Sequence, residues 1–166
     1  MTEPDRPPAP RGGGRVSLSD CGPTDAKPPF RFSMRTVVDL HATDAMGVVY
    51  FGRWARFIER TVSEYRIGLG DDPAGVSGHW FMIRAYAVDY HRSGRVGDEV
   101  EIFVRCATLG RTSHTFEAHI AHRESGECLV EARLVVVGVD GFGPKTSATP
   151  MPQGMRSRIA AFEGME

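Results

Sequence analysis

The sequence predicts an α+β domain in which one long helix is wrapped by a five-stranded antiparallel sheet. Helical spacing of apolar residues is sustained in one place, from Trp54 to Tyr65. One run before it and four runs after it have the alternation or continuous apolarity of strands. The last four runs are joined mostly by short turns, which imply antiparallel neighbours. A chain of 166 residues is long enough for one such domain with a real core.

Residues 1 to 29 hold seven of the eleven prolines and a GGG run. Such a segment buries too little apolar surface to offset its ordering entropy, so it reads as a disordered tail. The domain is expected to span residues 30 to 166. Phe30 to Leu40 reads as the first strand, with Phe30, Phe32 and Met34 on one parity. In the helix, Trp54, Phe57, Ile58, Val62 and Tyr65 share a face, while Arg53, Arg56, Arg60, Ser63 and Arg66 take the other. Gly68 and Gly70 end it. After the loop DDPAGVSG come Trp80–His91, a half-buried strand with Val100, Ile102, Val104 and Cys106 alternating, Thr112–His122, and the apolar run Leu129–Val139 of a central strand. The C-terminal stretch PMPQGMRSRIAAFEG reads as one short helical turn. A single helix leaves one sheet face bare, and that face is expected to meet another subunit.

Composition narrows the function classes. Apolar residues make up 41%, charged residues 25%, and the formal net charge is -1. Nothing here favours nucleic acid or an anionic membrane as a partner. No apolar run reaches the roughly 18 residues of a membrane span, and no leader-like core opens the chain. A cytoplasmic location is expected. The cysteines Cys21, Cys106 and Cys128 lack C-x-x-C spacing, which speaks against a disulfide framework or a thiolate zinc site. His114 and His122 share a strand parity while His119 points the other way. No cofactor and no metal are therefore expected. G-x-S-x-G is missing, and RGGGR in the tail follows no strand, so neither a serine hydrolase nor a nucleotide loop is supported.

The stretch HATDAMGVVYFGRW, residues 41 to 54, carries one carboxylate just ahead of the helix. The first amides of a helix lack intrahelical partners and carry partial positive charge. They can hold a carbonyl oxygen that is becoming an oxyanion, where each donor contributes about 2.7–4 kcal/mol. Asp44 beside them has the chemistry of a general base or nucleophile, and Gly47 lets the backbone approach a ligand. Asp44 as a helix N-cap and Gly47 as a turn residue fit the same letters, although a cap normally sits at the helix start.

D-L-H-A-T-D-A-M-G-V-V-Y-F-G-R-W-A-R-F-I-E-R resembles the signature of hotdog-fold acyl-CoA thioesterases. The branch it resembles holds the 4-hydroxybenzoyl-CoA and Tol–Pal-associated enzymes. D-Y-H-R-S-G-R-V-G-D-E-V-E-I and L-G-R-T-S-H-T-F-E are similar to later segments of that family, so the likeness runs over about residues 30 to 162. The resemblance implies sheets joined edge to edge in a dimer, Asp44 as the catalytic acid, and the backbone amide of Phe51 polarising the thioester carbonyl. Where some members carry His or Tyr, this chain has Phe51, which leaves the amide but no titratable group.

The expected activity is hydrolysis of an acyl thioester of coenzyme A or of an acyl carrier protein, in a homodimer or homotetramer. Asp44, Gly47 and Phe51 are the expected catalytic set. His41, Tyr50, Trp54, Glu59, Arg111 and Ser113 are expected at the substrate; Arg111 suits bidentate contact with coenzyme A phosphates. Glu59 also fits a solvated or salt-bridged acid beside Arg56 or Arg60. A hotdog hydratase or dehydratase, and a non-catalytic acyl-thioester binder, are the rival readings.

Overall fold

Helix α1, Trp54–Gly68, buries Trp54, Ile58, Thr61, Val62 and Tyr65 along one stripe and leaves Arg56, Glu59 and Arg60 exposed. This is the amphipathic pattern that the sequence carries. The computed structural model describes residues 20 to 71 and 79 to 165, so most of the DDPAGVSG loop and residues 1 to 19 lie outside the described residues.

The stripe of α1 lies on an antiparallel sheet of six strands rather than the five expected. They are β1 (Cys21–Pro23), β2 (Phe32–Val37), β3 (Trp80–Tyr90), β4 (Glu99–Leu109), β5 (Ser113–His122) and β6 (Cys128–Val139), in the order β1-β2-β4-β5-β6-β3. The added strand β1 falls in the stretch assigned to the tail. It pairs Cys21 with Met34 across β2. Three residues, the last of them a proline, show no period of their own, so only the partner strand makes them a strand. Phe30, expected on the face of Phe32 and Met34, instead packs 6.2 Å from both Phe103 and His119 on the opposite face.

The C-terminal stretch is also more than one turn. Helix α2, Gln153–Glu163, buries Met155 and Ile159 and stops at Gly164, whose φ is 70°. Phe162 meets the Tyr65 ring edge-on at 5.5 Å, and the Tyr65 hydroxyl donates to Glu163 at 2.8 Å. The Cys106 amide donates to the same carboxylate oxygen at 2.8 Å. Both helices thus lie on one side of the sheet. Strand β4, expected to be half-buried, is covered on both faces, with Glu101 and Phe103 only 8% and 5% exposed. Ser33 Oγ donates to Glu101 at 2.7 Å and Arg35 pairs with it at 3.2 Å, satisfying that buried acid.

His114, on β5, is 1% exposed and lies edge-on to the rings of Phe81 and Phe116 at 5.1 and 5.2 Å. Its Nε2 has no hydrogen-bond partner among the described residues. Burial, with the nearby charges of Arg66 and His79, pushes its pKa from 6.5 down to about 4. Between these values the unfolded chain takes up a proton that the folded chain refuses. Stability from this residue is therefore complete above pH 6.5 and lost as pH falls toward 4, a swing of about 3 kcal/mol. Denaturant titrations at pH 7.5 and 5 are expected to show this loss in the wild type and not in His114→Leu.

The register fixes which ends of the strands meet. Val37 pairs with Glu99, Val100 with His122, and Tyr90 with Val130, so these residues share one end of the sheet. Leu109 pairs with His114, Ser113 with Val137, and Trp80 with Val139 at the other. Strand β3 forms one edge. Its Met82, Ile83, Tyr86 and Tyr90 are 49%, 55%, 37% and 47% exposed.

Candidate active site

The chain leaves β2 at Val37, makes a 3-10 turn at Leu40–Ala42, and then folds residues 42 to 50 into a small hairpin. Tyr50 donates its amide to Ala42 at 2.9 Å, Thr43 bridges Val49, and Asp44 donates to Val48 at 2.9 Å. The tip closes where the Gly47 amide donates to the Asp44 carbonyl at 3.0 Å, with Gly47 at φ 73°. A side chain at that φ is strained, so the glycine is required for the turn itself. The hairpin is docked on the segment after β3: Val49 donates to Gly94 at 2.8 Å and Val48 bridges Arg95. Gly94 lies so close to the helix that an added Cβ would stand 2.8 Å from the Trp54 ring. Gly94→Ala is expected to cost about 1–3 kcal/mol by overpacking and to lower activity with it, read by denaturant titration beside a turnover assay.

Asp44 is half-buried and is not a helix cap. One of its oxygens accepts from the amides of Met46 at 2.8 Å and Val48 at 3.4 Å, and its other oxygen has no partner among the described residues. The cap position belongs to Tyr50, which makes no side-chain cap bond. A second 3-10 turn, Phe51–Arg53, runs directly into α1. Being first in that turn, the Phe51 amide has no acceptor within it, and no described residue outside the turn accepts from it. The Tyr90 hydroxyl donates to the Phe51 carbonyl at 3.0 Å and ties this helix start to the end of β3. Phe51 lies three residues along the returning arm from Val48, which faces Asp44, no more than about 10 Å of chain.

The structure brings only some of the sequence-derived candidates together. Asp44, Gly47, Tyr50 and Phe51 come together on the hairpin, with the Tyr50 and Phe51 rings 4.5 Å apart. His41 is exposed on the preceding turn and lines a pocket of about 220 Å3 with Asp39, Arg53, Arg56, Phe57 and Arg60. Trp54, expected beside substrate, is 2% exposed and serves the core, because its ring fills the space that Gly94 leaves. Glu59 is exposed and makes no ion pair among the described residues, so neither Arg56 nor Arg60 holds it. Arg111 and Ser113 sit at the turn between β4 and β5, at the far end of the sheet. Strands of 10 to 12 residues put roughly 30 Å between them and Asp44 within one chain.

Two features went unread in the sequence. Tyr90 was only the last apolar letter of a strand, and nothing local links it to residue 51. Arg53 and Arg56 were assigned to the solvated face of α1. They form no ion pair among the described residues, and with Arg60 they outnumber Asp39 and make the pocket net cationic. A larger groove, about 980 Å3, lies elsewhere, between Phe30, Phe162 and Glu163.

Known proteins were compared with this arrangement. The model of the Thioesterase superfamily matches residues 46–129, from just past Asp44 to the start of β6. The acyl-CoA thioester hydrolase YbgC of Escherichia coli O6:H1 is 30% identical over 136 residues, covering 81% of this chain and 96% of the relative. A thioesterase from Thermus thermophilus, solved with coenzyme A and Zn, is 27% identical with a TM-score of 0.68, over 81% of this chain and 95% of its own. The 1,4-dihydroxy-2-naphthoyl-CoA thioesterase from Synechocystis shares the fold, with a TM-score of 0.71 at 18% identity over 77% of this chain and 94% of its own. The family match spans about half of the chain and the YbgC relative covers 81% of it at 30% identity, so the chain belongs to the Thioesterase superfamily, has its hotdog fold and is a thioester hydrolase.

Proposed function

We propose that this protein hydrolyses acyl thioesters carried on phosphopantetheine, as in acyl-CoA or an acylated carrier protein, with Asp44 as general base or nucleophile and the Phe51 amide as oxyanion donor. The observation that carries this is the hairpin itself. It holds one oxygen of Asp44 in backbone hydrogen bonds, leaves the other without a partner among the described residues, and ends at an amide that no described residue accepts from.

The thioester carbonyl accepts from the Phe51 amide, where the start of the helix supplies further positive potential. Asp44 takes the proton of an attacking water, or its free oxygen adds to the carbonyl carbon and water later releases the acyl group. Either route ends in a carboxylic acid and a free thiol. The ring of Phe51 takes no part, since it has no proton to move. His41, Arg53 and Arg56 offer an anion site beside the hairpin, which suits the phosphate that coenzyme A and a carrier arm share.

The site is completed by a second copy. Strand β3 exposes Met82, Ile83 and Tyr86 along an edge that an identical strand can extend. Antiparallel pairing about a two-fold axis sets the Trp80 end of one copy beside the Tyr90 end of the other. The turn bearing Arg111 and Ser113 in one copy then comes toward Asp44 of the other, spanning a distance that one chain cannot.

Thiol release across acyl-CoA and acyl-carrier substrates tests the activity, run beside Asp44→Asn. Thiol formed by the wild type and not by the variant supports it. Water addition to an enoyl thioester without thiol release, or saturable binding with no turnover, overturns it in favour of a hydratase or a binding protein.

A further inference from the structure

On the sheet face away from α1, four metal-ligating side chains meet at the end of β3. His91 follows β3, His119 lies on β5, and Cys128 and Glu131 lie on β6. His91 Nε2 is 3.0 Å from one Glu131 oxygen, and His119 Nδ1 is 3.4 Å from the other. Cys128 Sγ is 3.7 Å from His119 Nδ1, and the ligand atoms of His91, Cys128 and Glu131 lie within 4.8 Å of one another. Tetrahedral zinc, with bonds of about 2.0–2.1 Å to nitrogen or oxygen and about 2.3 Å to sulfur, spaces its ligands roughly 3.3–3.6 Å apart. His91, Cys128 and Glu131 form the close group, and His119, which borders it through Glu131 and Cys128, must turn toward His91 to supply a fourth ligand.

Strand periodicity hides this cluster. Cys128 and Glu131 stand at odd spacing, and a regular strand would turn them to opposite faces. The register breaks between them, since Ile120 pairs with Val130 while Ala121 pairs with Cys128, leaving Leu129 as an extra residue. Such a bulge re-aims a side chain, here bringing the thiol round to the carboxylate. The His91 amide donates to the Leu129 carbonyl at 2.9 Å, which draws the end of β3 over the same point.

We propose that His91, His119, Cys128 and Glu131 bind one divalent transition-metal ion, zinc by the chemistry of the donors. Two neutral imidazoles, one thiolate and one carboxylate leave a zinc site with no net charge. His119 presents its Nδ1 toward both Glu131 and Cys128, at 3.4 and 3.7 Å. The thiol proton of Cys128 passes to solvent as the sulfur–zinc bond forms. A groove of about 350 Å3 lined by Asp89, Glu117 and Arg133 opens at Glu131 and gives the ion a path in. Binding ties the end of the edge strand to β5 and β6, and so steadies the strand from which Tyr90 reaches Phe51.

The test uses the full chain, stripped with chelator and titrated first with Co2+ and then with Zn2+. One equivalent of Co2+ is expected to give a thiolate-to-metal charge-transfer band that Zn2+ abolishes. Cys128→Ser is expected to lose the band, and Cys21→Ser to keep it. His91→Ala, at an exposed position beyond the strand, is expected to weaken Zn2+ at least about 10-fold in competition with a chromophoric chelator. Zn2+ is also expected to raise the unfolding temperature of the wild type and not of Cys128→Ser. A wild type without the band, a band that survives in Cys128→Ser, or unchanged zinc affinity in His91→Ala overturns the site and leaves a hydrogen-bonded His–Glu–His network.

Discussion

Asp44→Asn is expected to fold as the wild type does while its kcat for thiol release falls at least about 100-fold. An asparagine oxygen can still accept from the Met46 and Val48 amides, as the Asp44 oxygen does at 2.8 and 3.4 Å, so the hairpin survives the change. What is lost is the unpartnered anionic oxygen, which can no longer take a proton from water or attack a carbonyl. Asp44→Ala removes the acceptor as well and is expected to lower both turnover and unfolding temperature. The pair separates chemistry from architecture. Steady-state kinetics with matched thermal melts give the answer, and near wild-type turnover in Asp44→Asn would exclude this residue from catalysis. Phe51→Leu is expected to keep most of the activity, because the proposed donor is the backbone and not the ring.

Ile83→Asp is expected to split the assembly into single chains and to reduce thiol release at least about 10-fold. Ile83 is 55% exposed on the edge strand, so the substitution removes nothing from the core of one copy. Across a two-fold axis the new charge enters the interface twice, and burying unpaired like charges there costs more than an edge pairing supplies. Sedimentation velocity reads the oligomer and the thiol assay reads the site. Full activity from a wild-type protein that sediments as a single chain would remove the second copy from the proposal. A dimeric Ile83→Asp protein with normal turnover would place the interface elsewhere.

Much of the architecture was legible because it rests on repeating pattern. Residues 54 to 65 spell a helix at a period that no strand uses, and α1 begins at Trp54. Strands β3, β5 and β6 fall within one or two residues of the runs read from alternation and turns. The misses share a cause. Strand β1 is three residues long and has no period of its own, while α2 carries only Met155 and Ile159 as its buried stripe and borrows Tyr65 to anchor Phe162. Short or weakly patterned segments are set by what they pack against.

The candidate site divides along the same line. The sequence by itself determined that an acid, a glycine and a helix start follow one another within about ten residues, because a hairpin and a helix N-terminus are local objects. It also determined the chemistry those groups can perform. Only the tertiary structure decided that Asp44 holds its own turn rather than capping α1, that Trp54 is core beneath Gly94, and that Tyr90 reaches Phe51 from 39 residues away. It likewise decided that Arg111 stands at the far end of the sheet from Asp44, and that a one-residue bulge gathers Cys128 with Glu131. Strand register and the ends at which strands meet are properties of pairing between distant segments, and no stretch of sequence carries them alone.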